Sequence, residues 1–265
     1  RVNSGDQAKG GSPQEVEAVL VKLVRLIANI AISSSVGSTL ASSSAVVDPL
    51  LDMLGAKRIG DSEELVLNVV AAVTNLLFYD VPSNLLFQPD NKQLLCRLFR
   101  PLLLESYNIE ALIETARALG NLSRHQDARQ CMASLRIDEI LVILLDHDDR
   151  DLVFYVCGAL VNLGADPDCT ARLMDCSPVV QKLGKLLGDA TQDPALQLCA
   201  VKVLTNLSLD PSLGWASDDI EAVRGNLEQT IADYLAAAPE EPDAQQLLEL
   251  AKQLFGRLGG DPEAV

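Results

Sequence analysis

A chain of 265 residues in which 48% are apolar but only 4% aromatic buries its core with small aliphatic side chains in close contact. The formal net charge of −16 has the wrong sign for gripping a nucleic-acid backbone or an anionic membrane surface. The charge is also uneven: residues 1–133 hold 12 Lys+Arg against 14 Asp+Glu, whereas residues 134–265 hold 9 against 23, so a basic partner would suit the C-terminal half.

The apolar stretches are short and interrupted, so none spans a membrane, and no signal peptide is visible. The first residue is Arg1 rather than Met, and the chain reads as a fragment. The six cysteines, at 96, 131, 157, 169, 176 and 199, are scattered and sit mostly inside apolar patterns. That usage fits small buried hydrophobes in a reducing compartment. The one close pair, Cys169 and Cys176, has neither His125 nor His147 near it, so no metal site is expected. No phosphate loop and no nucleophile constellation is present, and neither an enzyme activity nor a cofactor is expected.

In chain order, residues 1–14 (RVNSGDQAKGGSPQ) are rich in Gly, Ser and Pro and read as a flexible lead-in. Helical periodicity begins after Pro13, and the first long helix runs through VRLIANIAIS (24–33). The breaker GAKRIGDS at 55–62 precedes a second, VAAVTNLLFY (70–79), and Pro82 and Pro89 break the chain again. A third carries TARALGNLSRH (115–125). The short pieces QDARQCMASL and RIDEILVILLDHDD then lead to the helix at 149–164, where Leu152, Tyr155, Val156, Ala159, Leu160 and Leu163 repeat at i, i+3, i+4 and i+7 spacing. PDCTARLMDC and SPVVQKLGKLLGD precede a fifth long helix, 193–209, with Leu196, Cys199, Ala200, Val203, Leu204 and Leu207 on one stripe. Pro167, Pro178 and Pro194 punctuate these pieces. The acidic run DHDDRD (146–151) reads as a turn whose Asp residues favour the next helix N-terminus. Strand-like alternation is missing, so the fold class is all-α.

One polar residue recurs inside each long apolar helix, at Asn29, Asn75, Asn121, Asn162 and Asn206, at intervals of 46, 46, 41 and 44 residues. A short helix, a middle helix and a long helix every ~40–47 residues is the period of a helical solenoid. No such unit buries its apolar face alone, so neighbours must stack. The N-x-S sequons at Asn121 and Asn206 lie inside helices and are discounted for glycosylation. Three helices per unit with the phrase A-L-x-N-L closing the third resembles the armadillo repeat. The resemblance implies a right-handed α-solenoid with five repeats over 15–209, capping helices over 210–258 around IEAVRGNLEQTIADYLAAA and DAQQLLELAKQLFGRL, and a tail at 259–265.

In armadillo solenoids the third helices line a groove in which ladder Asn side chains hold an extended peptide through its backbone. The resemblance therefore makes Asn29, Asn75, Asn121, Asn162 and Asn206 candidate partner-binding residues. An amide both donates and accepts, so it matches a peptide C=O and N–H. Such grooves often carry Trp four residues before the Asn. Here that position holds Arg25, Ala71, Arg117, Gly158 and Lys202. Residues at i and i+4 share a helix face. With Arg124 beyond Asn121, a basic groove of Arg25, Arg117, Arg124 and Lys202 for acidic partner segments is expected, and an importin-like carrier of basic peptides is disfavoured. Trp215, the sole Trp, is expected to anchor packing under the cap.

A narrower resemblance is carried by LVRLIANIAISSSVGSTLA (23–41) and VDPLLDMLGAKRIGDSEELVLN (47–68), which look like a family of armadillo proteins of ciliated organisms. That family is associated with building motile cilia and with delivering radial spokes by intraflagellar transport. It implies a protein-binding adaptor located in the cytoplasm and the cilium, with radial spoke or intraflagellar transport components as partners. The competing reading is a permanent structural scaffold of the axoneme.

Overall fold

The computed structural model describes residues 12–175, 178–188, 194–237 and 240–262. Most of the expected lead-in, Cys176 and the last three residues of the tail lie outside the described residues. Fourteen α-helices and no strand occur among the described residues. The chain divides into two compact bodies, the first through Leu86 and the second from Phe87.

The first body holds α1 (Pro13–Ile30), α2 (Ser34–Ala41), α3 (Ser44–Ala56) and α4 (Glu63–Leu77). Local chemistry starts α1: Pro13 occupies the first turn, Ser12 Oγ accepts from the Glu15 N–H, and Glu15 accepts from the Ser12 N–H at 2.7 Å. This closed capping box satisfies two orphan donors, and it sets the helix start inside the expected lead-in. Val21, Val24 and Ala28 of α1 are buried, and α1 packs along α4. Beyond α4, the Tyr79 hydroxyl donates toward Ala31 O at 2.5 Å and Ile32 O at 2.9 Å, tying the chain after α4 to the end of α1.

The second body runs α5 (Pro89–Glu105), α6 (Ile109–Leu122), α7 (Gln126–Ser134), α8 (Ile137–Leu144), α9 (Arg150–Gly164), α10 (Pro167–Asp175), α11 (Val179–Gly188), α12 (Pro194–Leu207), α13 (Ser217–Ala237) and α14 (Pro242–Arg257). Pro89, Pro167, Pro194 and Pro242 each stand at the first residue of a helix, where the missing N–H costs nothing. Asp149 accepts from the Leu152 N–H at 2.9 Å and caps α9. The long third helices pack in series, α6 on α9, α9 on α12 and α12 on α14, and each packs on the second helix of its own repeat. Ala72, Ala118 and Ala159, each three residues before a ladder Asn, are completely buried at these close approaches.

Two departures from regular repeats stand out. Before α5, the place of a first helix is taken by a single 3-10 turn, Leu85–Phe87. At the far end, α13 packs on α11 and α14 packs on α12. The capping segment therefore closes the stack in the manner of a further repeat.

Candidate protein-interaction surface

Asn206 Nδ2 donates to the carbonyl of Val161 at 2.9 Å, Asn162 Nδ2 to that of Gly120 at 3.2 Å, and Asn75 Nδ2 to that of Ala28 at 3.0 Å. In each case the acceptor immediately precedes the ladder Asn of the helix before. These carbonyls lie in the last four residues of α9, α6 and α1, where a helix has acceptor capacity left for partners outside it; Val161 O also accepts from the Ala165 N–H at 3.2 Å. The ladder Asn thus caps the neighbouring helix from the next repeat. This answers why a weak helix former recurs in apolar helices.

A further rung carries no Asn. Counting the apolar stripe, Leu247, Ala251 and Leu254 of α14 match Leu196, Ala200 and Val203 of α12, which places Arg257 where Asn206 stands. Arg257 Nη1 donates to Thr205 O at 3.4 Å and to Ser208 Oγ at 3.3 Å. Asn162 Nδ2 makes the equivalent pair, to Gly120 O and to Ser123 Oγ at 2.9 Å. Both serines belong to the N-L-S triplets discounted as sequons, and their role is to widen the acceptor site under the following rung.

Asn75, Asn121, Asn162 and Asn206 are half-buried, and Asn29 is exposed. The donor half of the amide is committed to the stack in Asn75, Asn162 and Asn206. What Asn162 and Asn206 can offer outward is the amide oxygen, an acceptor for N–H groups.

Three of the four expected basic residues are individually engaged. Arg25 pairs with Glu64 of α4, and its Nε donates to Asn68 Oδ1 at 3.3 Å. Arg117 pairs with Glu114, three residues earlier on α6, at 3.0 Å. Arg124 Nε donates to the Asn121 carbonyl at 3.0 Å, and its guanidinium lies 5.9 Å from the centroid of the Phe87 ring. Lys202 is half-buried and makes no ion pair among the described residues. Helix α9 carries Phe154 and Tyr155, half-buried and packed edge to face at 5.3 Å.

Away from the third helices, ionic clamps join successive repeats. Arg129 of α7 meets Asp166 at 2.8 Å and also donates to Ser123 O and Arg124 O. Arg172 of α10 meets the fully buried Asp138 at 2.9 Å. Lys182 of α11 meets Asp146 at 2.8 Å and Val142 O at 2.9 Å. Trp215 is half-buried and lines a cleft of about 430 Å³ with Leu209, Pro211, Ile220 and Arg257. Burial raises the thiol pKa of Cys96, Cys157 and Cys199, and pushes Cys169 up to about 11. No cluster of His, Cys, Asp and Glu suited to a metal ion occurs among the described residues, and no described helix is long and apolar enough to cross a membrane.

Serially stacked third helices, a repeat of about 44 residues and side-chain straps of constant register define an armadillo solenoid, and this chain is an armadillo repeat protein. A designed armadillo repeat protein superposes over 93% of this chain and 96% of its own, with a TM-score of 0.67 at 20% identity. Another, solved in complex with the peptide (KR)4, gives 0.64 at 18% identity over 93% and 95%.

In sequence the chain is similar to armadillo repeat-containing protein 2 of Mus musculus, 33% identical over 264 residues, which is 92% of this chain and 31% of that protein. The Bos taurus protein of the same name is 31% identical over 95% of this chain and 31% of its own length, and the Homo sapiens one 34% identical over 74% and 22%. The chain thus spans less than a third of the length of these curated relatives. No family model matches it.

Proposed function

We propose that this chain is a non-enzymatic protein-binding scaffold whose third-helix face holds extended segments of partner proteins. The observation that carries this reading is the constant register of the rungs. Because each strap fixes its side chain to the neighbouring helix, the outward amide oxygens of Asn162 and Asn206 stand at repeat spacing with little freedom left to lose. They would accept from backbone N–H groups of an extended chain. Phe154 and Tyr155 would supply apolar contact, and Arg117, Arg124 and Lys202 would meet acidic side chains. The complex of a designed neighbour with the peptide (KR)4 supports peptide binding by this fold.

The finer role is a ciliary adaptor, in the cytoplasm and the axoneme, carrying radial spoke components with the intraflagellar transport machinery. It is supported by the resemblance of residues 23–41 and 47–68 and by similarity to armadillo repeat-containing protein 2. The test is capture from a ciliary extract on the tagged chain, with bound proteins identified by mass spectrometry. Radial spoke or transport components enriched over an unrelated armadillo control, and released from axonemes by mild salt, are the expected result. Retention on salt-washed axonemes would replace the adaptor with a permanent scaffold. No enrichment would remove the ciliary role.

A further inference from the structure

Helix α1 holds the third-helix position, and no helix precedes it among the described residues. Counted from the ladder Asn, Val19, Leu23, Leu26 and Ile30 stand ten, six and three residues before Asn29 and one after it. The same four positions are Leu65, Val69, Ala72 and Leu76 in α4; Ala111, Thr115, Ala118 and Leu122 in α6; Leu152, Val156, Ala159 and Leu163 in α9; and Leu196, Ala200, Val203 and Leu207 in α12. All sixteen are 0–1% exposed, whereas the four in α1 are 39–64% exposed. Val16, at 50%, extends the α1 stripe by one more turn at heptad spacing. The opposite face of α1 is buried in the ordinary way through Val24 and Ala28.

The other end of the stack is built differently. Five residues before the rung, the five Asn helices carry Val24, Val70, Ala116, Cys157 and Val201, all completely buried. In α14 that position is Lys252, flanked on the same side by exposed Gln245, Glu249 and Gly256. A polar outer face is how a solenoid terminates in water. Helix α14 has one, and α1 has an apolar stripe instead.

We infer that the α1 stripe is the seat of a preceding armadillo repeat, packed through its third helix and supplied by polypeptide upstream of Arg1. Repeat equivalence identifies the occupant. In the later repeats this stripe meets the third helix of the repeat before: a Cβ on Gly164 of α9 would lie 3.7 Å from Leu207 Cδ2 and 3.9 Å from Val203 O, and one on Gly120 of α6 would lie 3.9 Å from Ala159 N. Length agrees: the matched region is only 31% of the Mus musculus relative, so the relative has ample chain for further repeats. The exposed Asn29 makes no strap to an earlier helix among the described residues, which fits a rung whose partner lies in that segment.

Peptide-resolved hydrogen exchange across α1 tests this without substitution, comparing the 265-residue chain with the same chain extended upstream as its gene encodes. A second readout is thiol labelling of Leu23→Cys and Val19→Cys, at positions that tolerate change in the shorter chain. In the extended chain α1 exchange and labelling should slow at least tenfold, independent of protein concentration. Equal rates in the two chains would overturn the inference. So would slowing in the 265-residue chain that grows with its concentration, because a second copy would then cover the stripe. An upstream coding sequence too short for one more repeat would overturn it as well.

Discussion

The side-chain amide of Asn206 is bonded to the backbone of Val161, 45 residues earlier and one helix away, at 2.9 Å. The same relation joins Asn162 to Gly120 and Asn75 to Ala28, and Arg257 reproduces it on Thr205. The ladder position therefore ties repeats together before it touches any partner.

Asn206→Ala removes a half-buried hydrogen bond to the last turn of α9, where Val161 O keeps its bond from the Ala165 N–H, so the chain should lose about 1 kcal/mol. Asn206→Asp should cost more near neutral pH, because a carboxylate faces a carbonyl with no proton to give. Acidification should recover part of that loss as the carboxyl gains a donor. Urea melts of the three proteins at two pH values give the order; equal stability of all three would remove the strap from the account.

Arg129 clamps Asp166, whose side chain is only 4% exposed, and has two carbonyls as further acceptors. Arg129→Ala leaves that carboxylate buried and unpaired, and the expected cost is about 3 kcal/mol. The exposed Arg150–Asp151 pair is the control, and Arg150→Ala should move the melt by less than about 1 kcal/mol.

Gly37 of α2 lies under the Tyr79 ring. A Cβ there would meet Tyr79 Cε2 at 2.1 Å and the Ala31 carbonyl at 2.3 Å. Although Ala favours a helix, Gly37→Ala should destabilise by roughly 1–3 kcal/mol through overpacking. A melt at or above the parent's would show that the tyrosine yields freely.

The buried thiols make stability fall at alkaline pH. Burial raises the folded pKa of Cys96, Cys157 and Cys169, the last to about 11. Below the unfolded thiol's pKa of roughly 8.5 the contribution is fully present, and it is lost as pH rises from there through the folded values. The midpoint of thermal unfolding should therefore drop between about pH 9 and 11. In the same range iodoacetamide should modify the half-buried Cys131 before Cys157. Uniform labelling of the folded chain would contradict the burial.

Much of this was legible in the residues themselves. The Asn period, the prolines that start α5, α10 and α12, and the alanines three before the rung all follow from helical spacing, which fixes neighbours on one helix. The Arg117–Glu114 pair was equally readable, because i and i+3 share a face. The Asn donors, by contrast, were legible as groove residues but not as straps. Which group an amide nitrogen meets depends on how far one helix slides along the next. No single-helix pattern encodes that. Arg257 escaped notice for a related reason: the rung is defined by reach to a carbonyl, and a long guanidinium satisfies it where the Asn phrase is missing. The lost first helix before α5 left only the prolines at 82 and 89 as a sign.

The claim that partners bind the third-helix face is tested most directly by site-specific photo-crosslinking. A benzoylphenylalanine at Tyr155 on α9 reports that face, and one at Lys185 on the second helix α11 reports the outer face. Exposed to a ciliary extract and irradiated, the chain labelled at Tyr155 should form a discrete covalent adduct, and the chain labelled at Lys185 should not. Adducts from Lys185 alone would place binding on the outer helices and contradict the account.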